Sequence, residues 1–364
     1  MQRDDPAIQW LLNSADPSIR YFALVDLLDK TNRSHEVKAA RDQILEGPRV
    51  KALLAGQHIG QQKSKDSFGV HPGGFGVHPY KKWDGAHWRL VSLVELGIPA
   101  REPRAVSAAD QVLQWLTSEF HRSQIKAIDG RVRRCGSQEG NALAVCSRLG
   151  LIEDPRVQYL AESLIKWQWP DGGWNCDKKP EANHSSFYES LAPMWGLIEY
   201  HRATGDEAAL HAAQRTAEMF LRHRLFRSTT TGGVIDPEWL KLHYPLYWHY
   251  DVLQALLILS RFARGGHLHP LRGRSAVLTN PPHPDGFGNP SRASILLQDA
   301  RVQEALDIVE AKRRSDGCWK AEGLYWVALG KRTSNVEVVD WGRRGPNEMI
   351  TLNALRVLQA AGRL

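Results

Sequence analysis

Apolar residues recur along the chain at three- and four-residue intervals, the spacing of amphipathic helices. In the middle of the chain the pattern repeats about every fifty residues, as expected for helix pairs joined by loops. The first helices of the pairs are predicted at residues 19–28, 86–96, 139–149, 188–200, 249–262 and 348–361. The second helices follow N-cap signals such as Asp154-Pro155 and are predicted at 106–116, 157–167, 208–221 and 302–309.

The lengths of the connections indicate how these helices are arranged. Links within a pair are short, as at 97–102 and 150–154, which predicts antiparallel neighbours. Links between pairs are longer, as at 168–185. A Pro- and His-rich stretch at 265–292 falls inside a pair and is expected to be an inserted loop. Because strand signals are nearly absent, the chain is predicted to be all-α, with residues 1–364 in a single domain.

Composition narrows the class of protein. The 364 residues are 42% hydrophobic and 24% charged, which is typical of a packed protein and excludes disorder, collagen and a coiled coil. The net charge of +7 is a mild excess for this length, so it permits an anionic ligand, and no nucleic-acid partner is expected. The longest apolar run, 253–259, is too short to cross a bilayer, so no integral membrane insertion is expected.

The cysteines and the first residues of the chain indicate the cellular compartment in which the protein is expected. Cys135, Cys146, Cys176 and Cys318 form no C-x-x-C pair, and the polar start of the chain does not resemble a signal peptide. Both features favour a reducing, cytoplasmic location.

Loops rich in Trp and Gly carry a family resemblance. The stretch Gln168-Trp169-Pro170-Asp171-Gly172-Gly173-Trp174, echoed by 314–319, resembles the Q-x-x-D-G-x-W repeat of squalene and hopene cyclases and of protein prenyltransferase β subunits. The resemblance implies a single α/α-toroid of about six inner and five to six outer helices. The local physics of the motif favours a structural role, because the Asp-Gly turn ends a helix and the Trp packs across its neighbours.

The chain departs from the catalytic patterns of that superfamily. The triterpene cyclases have two α-barrel domains and a D-x-D-D acid motif, which is missing here. The prenyltransferases bind zinc through Asp-x-Cys and a distant His, whereas Cys176, Asp177 and His184 lie in one loop. Capping and loop hydrogen bonds are the favoured role for these three residues over metal binding, so no metal ligand is assigned and the cofactor stays unknown.

In a toroid, the N-termini of the inner helices would meet at the mouth of a central cavity. Side chains with catalytic chemistry predicted on this rim are Asp84, His87, Glu139, His184, Tyr188 and His249. Residues predicted to bind a substrate are His71, His78, Trp83, Trp174, Tyr244, Tyr247, Tyr250, Trp319 and Trp326. His71 and His78 belong to a repeated Phe-Gly-Val-His-Pro loop, which can be a flap over a ligand or a solvated loop.

These residues predict an enzyme of the isomerase or lyase type, similar to terpene cyclases. It would hold an apolar ligand in its cavity, and isoprenoids are candidates. A polar or anionic head group on that ligand would be attracted by basic clusters such as Arg131-Arg133-Arg134. Acid/base chemistry would achieve cyclisation, isomerisation or dehydration, with Asp84 or Glu139 as proton donor if burial raises its pKa.

Two alternatives stay open. A carbohydrate-active hydrolase or lyase would place two rim carboxylates across an open groove. A non-catalytic binding or scaffold toroid would fill its cavity with side chains and expose Trp and Tyr residues on a convex patch.

Overall fold

The computed structural model describes residues 4–57, 75–262 and 295–364 apart from 329 and 332. It is an all-α fold, as predicted, with one short hairpin. The helices of the first half are α1 (Pro6–Leu12), α2 (Pro17–Phe22), α3 (His35–Asp42), α4 (Pro48–Leu54), α5 (Ala86–Glu95), α6 (Pro103–Thr117), α7 (Glu119–Ser123) and α8 (Gly136–Arg148). Those of the second half are α9 (Pro155–Trp167), α10 (Phe187–Thr204), α11 (Glu207–Arg222), α12 (Val252–Leu259), α13 (Gln303–Ala311) and α14 (Glu348–Ala360). The predicted insertion at 265–292 and His71 lie outside the described residues.

All six predicted first helices are present, as α2 with a π-helical turn at Ala23–Leu27, α5, α8, α10, α12 and α14. The second helices predicted from the pattern correspond to α6, α9, α11 and α13. The boundary predicted at 249 is wrong, because α12 begins at Val252. Asp251 has an extended backbone and its carboxylate accepts the N–H of Gln254 at 2.8 Å, so it caps the helix from outside.

The hairpin was not predicted. Strand β1 (Lys126–Ile128) pairs antiparallel with β2 (Arg131–Arg133), and Asp129 and Gly130 make the turn with φ of 49° and 71°. An Asp-Gly pair with positive φ at both residues is the preferred two-residue hairpin turn. The sequence therefore contains the hairpin signal, between Lys126 and the basic cluster Arg131-Arg133-Arg134.

The two Trp motifs form the same joint twice. Trp174 and Trp319 are fully buried, and their indole N–H groups donate to the carbonyls of Leu164 and Val309 at 3.0 and 2.7 Å. The backbone N–H of each Trp donates to a hydroxyl in the next first helix, to Ser190 in α10 and to Thr351 in α14, at 3.0 Å. Each motif thereby ties a second helix to the first helix that follows it.

Contacts among the first helices join the last of them to the first. Helix α5 packs on α8, α8 on α10, α10 on α12 and α12 on α14, and α14 packs on α2 and on the π-helical turn. A toroid requires a contact between its last and first helices such as this one, and the toroidal shape itself stays a prediction. None of the helices in the described part combines the length and the apolar character needed to span a bilayer.

The closest of these contacts is between α8 and α10. A Cβ at Gly140 would lie 2.3 Å from the nitrogen of Pro193, and one at Gly196 would lie 2.4 Å from the carbonyl oxygen of Gly140. Pro193 stands inside α10 and has no N–H, so the α8 backbone meets no unpaired donor there. Two glycines and one proline thus let the two backbones touch.

Charged side chains from the first helices, or from the residues directly after them, meet at one place. They are Asp26, Glu95, Arg148, Glu199, Arg261 and Arg356, and all are buried except Arg148, which is largely so. Each acts electrostatically on others of the group: Glu199 feels Arg148 and Arg261, and Asp26 feels Arg356, Arg148 and Arg261. Burial would raise the pKa of Glu199, but Arg148, Arg202 and Arg261 lower it to about 2. Arg148, Arg202 and Arg261 surround Glu199, and Arg356 pairs with Asp26, so the arginines offset the cost of burying these two carboxylates.

Candidate functional site

A pocket opens among the first helices. It is bounded by α5, α8, α10, α12 and the segment 244–249 that precedes α12. Its aromatic lining consists of Trp88, Tyr188, Trp195, Tyr244, Tyr247, Trp248 and His249. The cavity volume is about 40 Å³. The whole space between the lining side chains, including the part open to solvent, is about 580 Å³. The pocket is therefore narrow, and a ligand of many atoms would displace rings as it enters.

Glu95 is the carboxyl group that lines the pocket in the described part of the chain. It is the last residue of α5, and its Oε2 accepts the hydroxyl proton of Tyr244 at 3.0 Å. Burial raises the pKa of Glu95, although hydrogen bonds from Tyr244 and Gln254 and the charges of Arg261 and Arg356 act in the opposite direction. The helix adds to this effect, because carbonyl groups at a helix C-terminus disfavour a negative charge. Glu95 is thus a carboxyl group poised to hold a proton.

The rings of the lining are held by a second set of contacts. Tyr247 stacks on Trp83 with ring centroids 3.5 Å apart, and its hydroxyl donates to the buried carboxylate of Glu337. Trp83 is fixed in turn by its indole N–H, which donates to the carbonyl of Tyr325 at 2.9 Å. The ammonium of Lys82 lies 4.0 Å from the centroid of the Trp248 ring. Contacts on the side away from the pocket therefore fix the orientation of these aromatic rings.

His249 and Tyr188 bring proton-transfer groups to the same wall. The His249 ring stacks on Tyr325 at 3.5 Å between centroids, and Tyr188 accepts the indole N–H of Trp239 at 3.0 Å. Burial lowers the pKa of His249 to about 4, with further lowering from His243 and Lys82. His249 is therefore neutral at pH 7 and can accept a proton.

The structure brings together some of the residues that the sequence predicted and leaves others apart. Of the predicted catalytic set, Tyr188 and His249 line the pocket. Of the predicted substrate-binding set, Tyr244 and Tyr247 line it, and Trp83 lies directly behind Tyr247. These five residues form one continuous surface with Glu95.

The rim carboxylates predicted as proton donors lie outside the pocket lining. Asp84 forms an ion pair with Lys81, with 2.9 Å between Oδ2 and Nζ, and its side chain is partly exposed. Glu139 is buried, but its Oε1 accepts Nε–H of Arg134 at 2.7 Å, which stabilises the charged carboxylate. His184 is exposed and contacts the neighbouring Asn183 side chain. None of these three faces the aromatic wall.

The remaining predicted binding residues pack elsewhere. Tyr250 is fully buried against Phe220 and donates to the carbonyl of Leu225 at 2.6 Å. Trp326 donates to the carbonyl of Tyr244 at 3.2 Å, so it supports the pocket from behind. His78 stacks edge-on against Trp115, and Trp174 and Trp319 form the two helix joints described above.

His87 is buried in an aromatic cluster away from the pocket. Its ring lies against Tyr80, Trp88 and Trp115, and neither ring nitrogen has a hydrogen-bond partner among the described residues. Burial lowers its pKa from 6.5 to about 3. The ring therefore stays neutral in the folded protein over the physiological range.

The lowered pKa of His87 predicts how the free energy of unfolding changes with pH. Between pH 6.5 and 3 the unfolded chain binds a proton at His87 that the folded chain does not, so its contribution is present above pH 6.5 and is lost as the pH falls. From pH 7 to pH 5 the loss is about 2 kcal/mol of unfolding free energy. In His87→Phe, urea unfolding at the two pH values should show a drop smaller by this amount. An equal drop in both proteins would mean that His87 is protonated when folded.

Sequence reasoning missed several residues of the pocket. Trp88, Ser92 and Glu95 lie on one face of α5 at i, i+4 and i+7, and Trp195 and Gln254 complete the lining from α10 and α12. The available signal was a single carboxyl at the end of an otherwise apolar stretch, in Leu93-Val94-Glu95-Leu96. Glu95 lies at the C-terminal end of its helix, whereas the rim predicted from the sequence comprises the N-terminal ends.

The basic clusters have structural partners. Arg134 binds Glu139, Arg227 binds Glu304 with 2.9 Å between Nε and Oε2, and Arg313 binds Asp5 at 2.5 Å. No Arg or Lys is among the residues that line the pocket in the described part of the chain. Two cations of the described part lie close behind the lining: Lys82 beside Trp248 and His249, and Arg261 at 5.2 Å from the centroid of the Trp195 ring.

No protein-family model, no curated protein and no solved structure matches this chain.

Proposed function

We propose that this protein binds a largely apolar, unsaturated ligand in the aromatic pocket and isomerises or cyclises it by proton transfer, with Glu95 as the proton donor. The observation that carries the proposal is a buried carboxyl of raised pKa that faces a wall of aromatic rings. Such a group can hold a proton at neutral pH and release it to a weak base. The enzyme class proposed is an isomerase or lyase similar to terpene cyclases, built on the toroid that the repeat motif implies.

The reaction balances without a further reactant. Glu95 gives its proton to one carbon of a double bond, whose π electrons form the new C–H bond and leave a cation on the other carbon. In a cyclisation, a second double bond of the ligand then supplies its electrons to that cation. Loss of a proton from a carbon next to the final cation restores a double bond, and neutral His249 or the Glu95 carboxylate accepts that proton.

The lining suits each stage of that reaction. The faces of Trp88 and Trp195 can stabilise a cation without reacting with it, because aromatic rings present negative charge on their faces. A narrow pocket limits the water that could capture the cation. A polar or anionic head group on the ligand would meet Lys82 beside Trp248.

The two alternatives have less support. A glycosidase needs two carboxyl groups across the substrate, and Glu95 alone lines the pocket among the described residues. A scaffold toroid would expose its Trp and Tyr residues, whereas the large hydrophobic residues that the structure exposes in the described ranges are Phe120, Val234, Ile235 and Leu364.

Replacing Glu95 tests the proposal. The full chain is incubated in D₂O with linear isoprenoid hydrocarbons and alcohols of increasing length, and the extracts are analysed by mass spectrometry for isomers that contain deuterium. Deuterium at carbon is expected because the Glu95 proton exchanges with solvent. Glu95→Gln should lower turnover by about 10²–10⁴-fold.

Two further variants test whether Glu95 or Asp84 is the proton donor. Tyr244→Phe keeps the ring but removes the hydroxyl that donates to Glu95, so it should alter the pH dependence of the rate more than the binding of the ligand. Asp84→Asn tests the donor that the sequence suggested. If Asp84→Asn lost activity while Glu95→Gln kept it, the donor would lie on the rim and the assignment of Glu95 would be wrong.

A further inference from the structure

Three metal-ligand side chains meet outside the pocket. Cys135 precedes α8, Cys176 lies in the loop after Trp174, and Glu189 is in the first turn of α10. Their two sulfur atoms and one carboxylate oxygen all lie within 4.8 Å of one another. Glu189 is buried, whereas the two thiols are half-buried, so solvent can reach the group from the side of the thiols. None of the three residues lines the aromatic pocket.

The backbone fixes the segments that carry these side chains. The N–H of Arg134 donates to the carbonyl of Asn175 at 3.1 Å, which joins the residues before Cys135 and Cys176. The N–H of Ser186 donates to the carbonyl of Trp174 at 2.8 Å and anchors the start of α10 to the same loop. The three side chains therefore converge on a rigid frame, which favours a site that exists before any ion arrives.

Glu189 is oriented by a neighbour in α8. Its Oε2 accepts the backbone N–H of Ser137 at 3.1 Å and the hydroxyl of Ser137 at 2.8 Å. This leaves Oε1 directed at the thiols, 3.6 Å from Sγ of Cys176. Ligating carboxylates commonly have such a hydrogen-bonded partner, which fixes the oxygen that faces the metal.

The spacing fits a tetrahedral zinc ion. With Zn–S bonds of about 2.3 Å and Zn–O bonds of about 2.1 Å, ligand atoms in a tetrahedron lie roughly 3.5–3.8 Å apart. Of the three spacings, the 3.6 Å between Cys176 Sγ and Glu189 Oε1 has this value, and Cys135 Sγ lies within 4.8 Å of both atoms. Two thiolates favour zinc over magnesium or calcium, which prefer oxygen ligands.

The geometry points to a Zn²⁺ site formed by Cys135, Cys176 and Glu189. Three protein ligands leave the fourth position to water or to a substrate atom, as in catalytic rather than structural zinc sites. His184, which shares a loop with Cys176, is not part of the site, since its ring contacts Asn183 instead. The site is independent of the chemistry proposed for Glu95.

Metal content and affinity test this site. The full chain is purified with a reducing agent and without chelator, and its zinc is measured by plasma mass spectrometry. About one zinc per chain is expected, and Co²⁺ in its place should give the near-ultraviolet charge-transfer band of cobalt–thiolate bonds. The double variant Cys135→Ser/Cys176→Ser should remove that band, whereas Cys318→Ser, at a cysteine outside the group, should keep both band and metal.

A milder variant covers the case in which loss of a cysteine prevents folding. Ser137→Ala removes one hydrogen bond to Glu189 and should weaken zinc binding, in competition with a chromophoric chelator, by about 10–100-fold. The control is Ser147→Ala in the same helix, whose hydroxyl has no hydrogen-bond partner among the described residues.

Three results would overturn the inference: a reduced chain that takes up neither zinc nor cobalt, a Cys135→Ser/Cys176→Ser chain that binds as tightly as the parent, or a Ser137→Ala chain with unchanged affinity. A Cys135–Cys176 disulfide in fresh protein, with no metal uptake after reduction, would also overturn it and would identify a redox pair instead.

Discussion

Arg356→Met is expected to lower the free energy of unfolding by about 3–5 kcal/mol, the usual effect of removing one partner of a buried ion pair. Nε and Nη2 of Arg356 donate to Oδ2 of Asp26 at 2.8 and 2.5 Å, and both residues are buried. Methionine fills a similar volume but leaves the carboxylate of Asp26 without its direct partner. Urea unfolding followed by Trp fluorescence measures the change.

Two further variants show whether the pair itself is responsible. Arg363→Met removes exposed ion pairs to Asp307 and Glu310 and should cost no more than about 1 kcal/mol. The double variant Asp26→Asn/Arg356→Met should lose less than the sum of its single variants, because it leaves no unpaired charge. An Arg356→Met protein as stable as the parent would mean that Arg148 and Arg261 alone neutralise Asp26.

Gly140→Ala and Gly196→Ala should each destabilise the fold by about 3 kcal/mol or more. The added Cβ would stand 2.3 Å from the Pro193 nitrogen in the first case and 2.4 Å from the Gly140 oxygen in the second. These are backbone atoms of packed helices, so they cannot move aside as a flexible side chain would. Alanine inside a helix would otherwise gain up to about 1 kcal/mol over glycine, which is too little to offset the clash.

Gly233→Ala is the control for that experiment. Gly233 is exposed, its φ is not in the left-handed region, and the nearest atom to an added Cβ is 3.4 Å away. Its stability should change by less than about 0.5 kcal/mol. If Gly140→Ala unfolded at the same urea concentration as Gly233→Ala, α8 and α10 would have to lie farther apart than described.

The helices could be predicted because their signal is local. An apolar period near 3.6 residues and an N-cap residue such as Asp154 both depend on neighbours in the sequence. The errors also have local causes. Helix α12 begins later than predicted because Asp251 occupies its N-cap position. The Asp129-Gly130 turn of the hairpin lies next to a cluster of Arg residues, whose charge is the more conspicuous pattern.

The pocket could be predicted only in part. Tyr188, Tyr244, Tyr247 and His249 were found because polar-tipped aromatic residues cluster near helix starts, which is a visible pattern. Glu95 was missed because its character depends on Tyr244, which is 149 positions away, and on burial that no local pattern displays.

The group of Cys135, Cys176 and Glu189 was missed for the same reason. Its members come from three segments of the chain, and only the backbone contacts between 134 and 175 and between 174 and 186 bring them together. The sequence shows Cys176, Asp177 and His184 as metal-compatible side chains in one loop, and no metal ligand was assigned to them. Proximity along a loop does not determine which way a side chain points.

The return of α14 to α2 affects how the protein should unfold. In a linear array of repeats, the terminal repeats have one neighbour each, and they fray or require polar caps. Here the contact of α14 with α2, reinforced by the pair of Asp26 and Arg356, gives the first and last repeats a partner on the side that an open array would expose. Loss of one repeat would break contacts on both its sides, so stepwise unravelling from an end is unfavourable, and the described helices should melt as one cooperative unit.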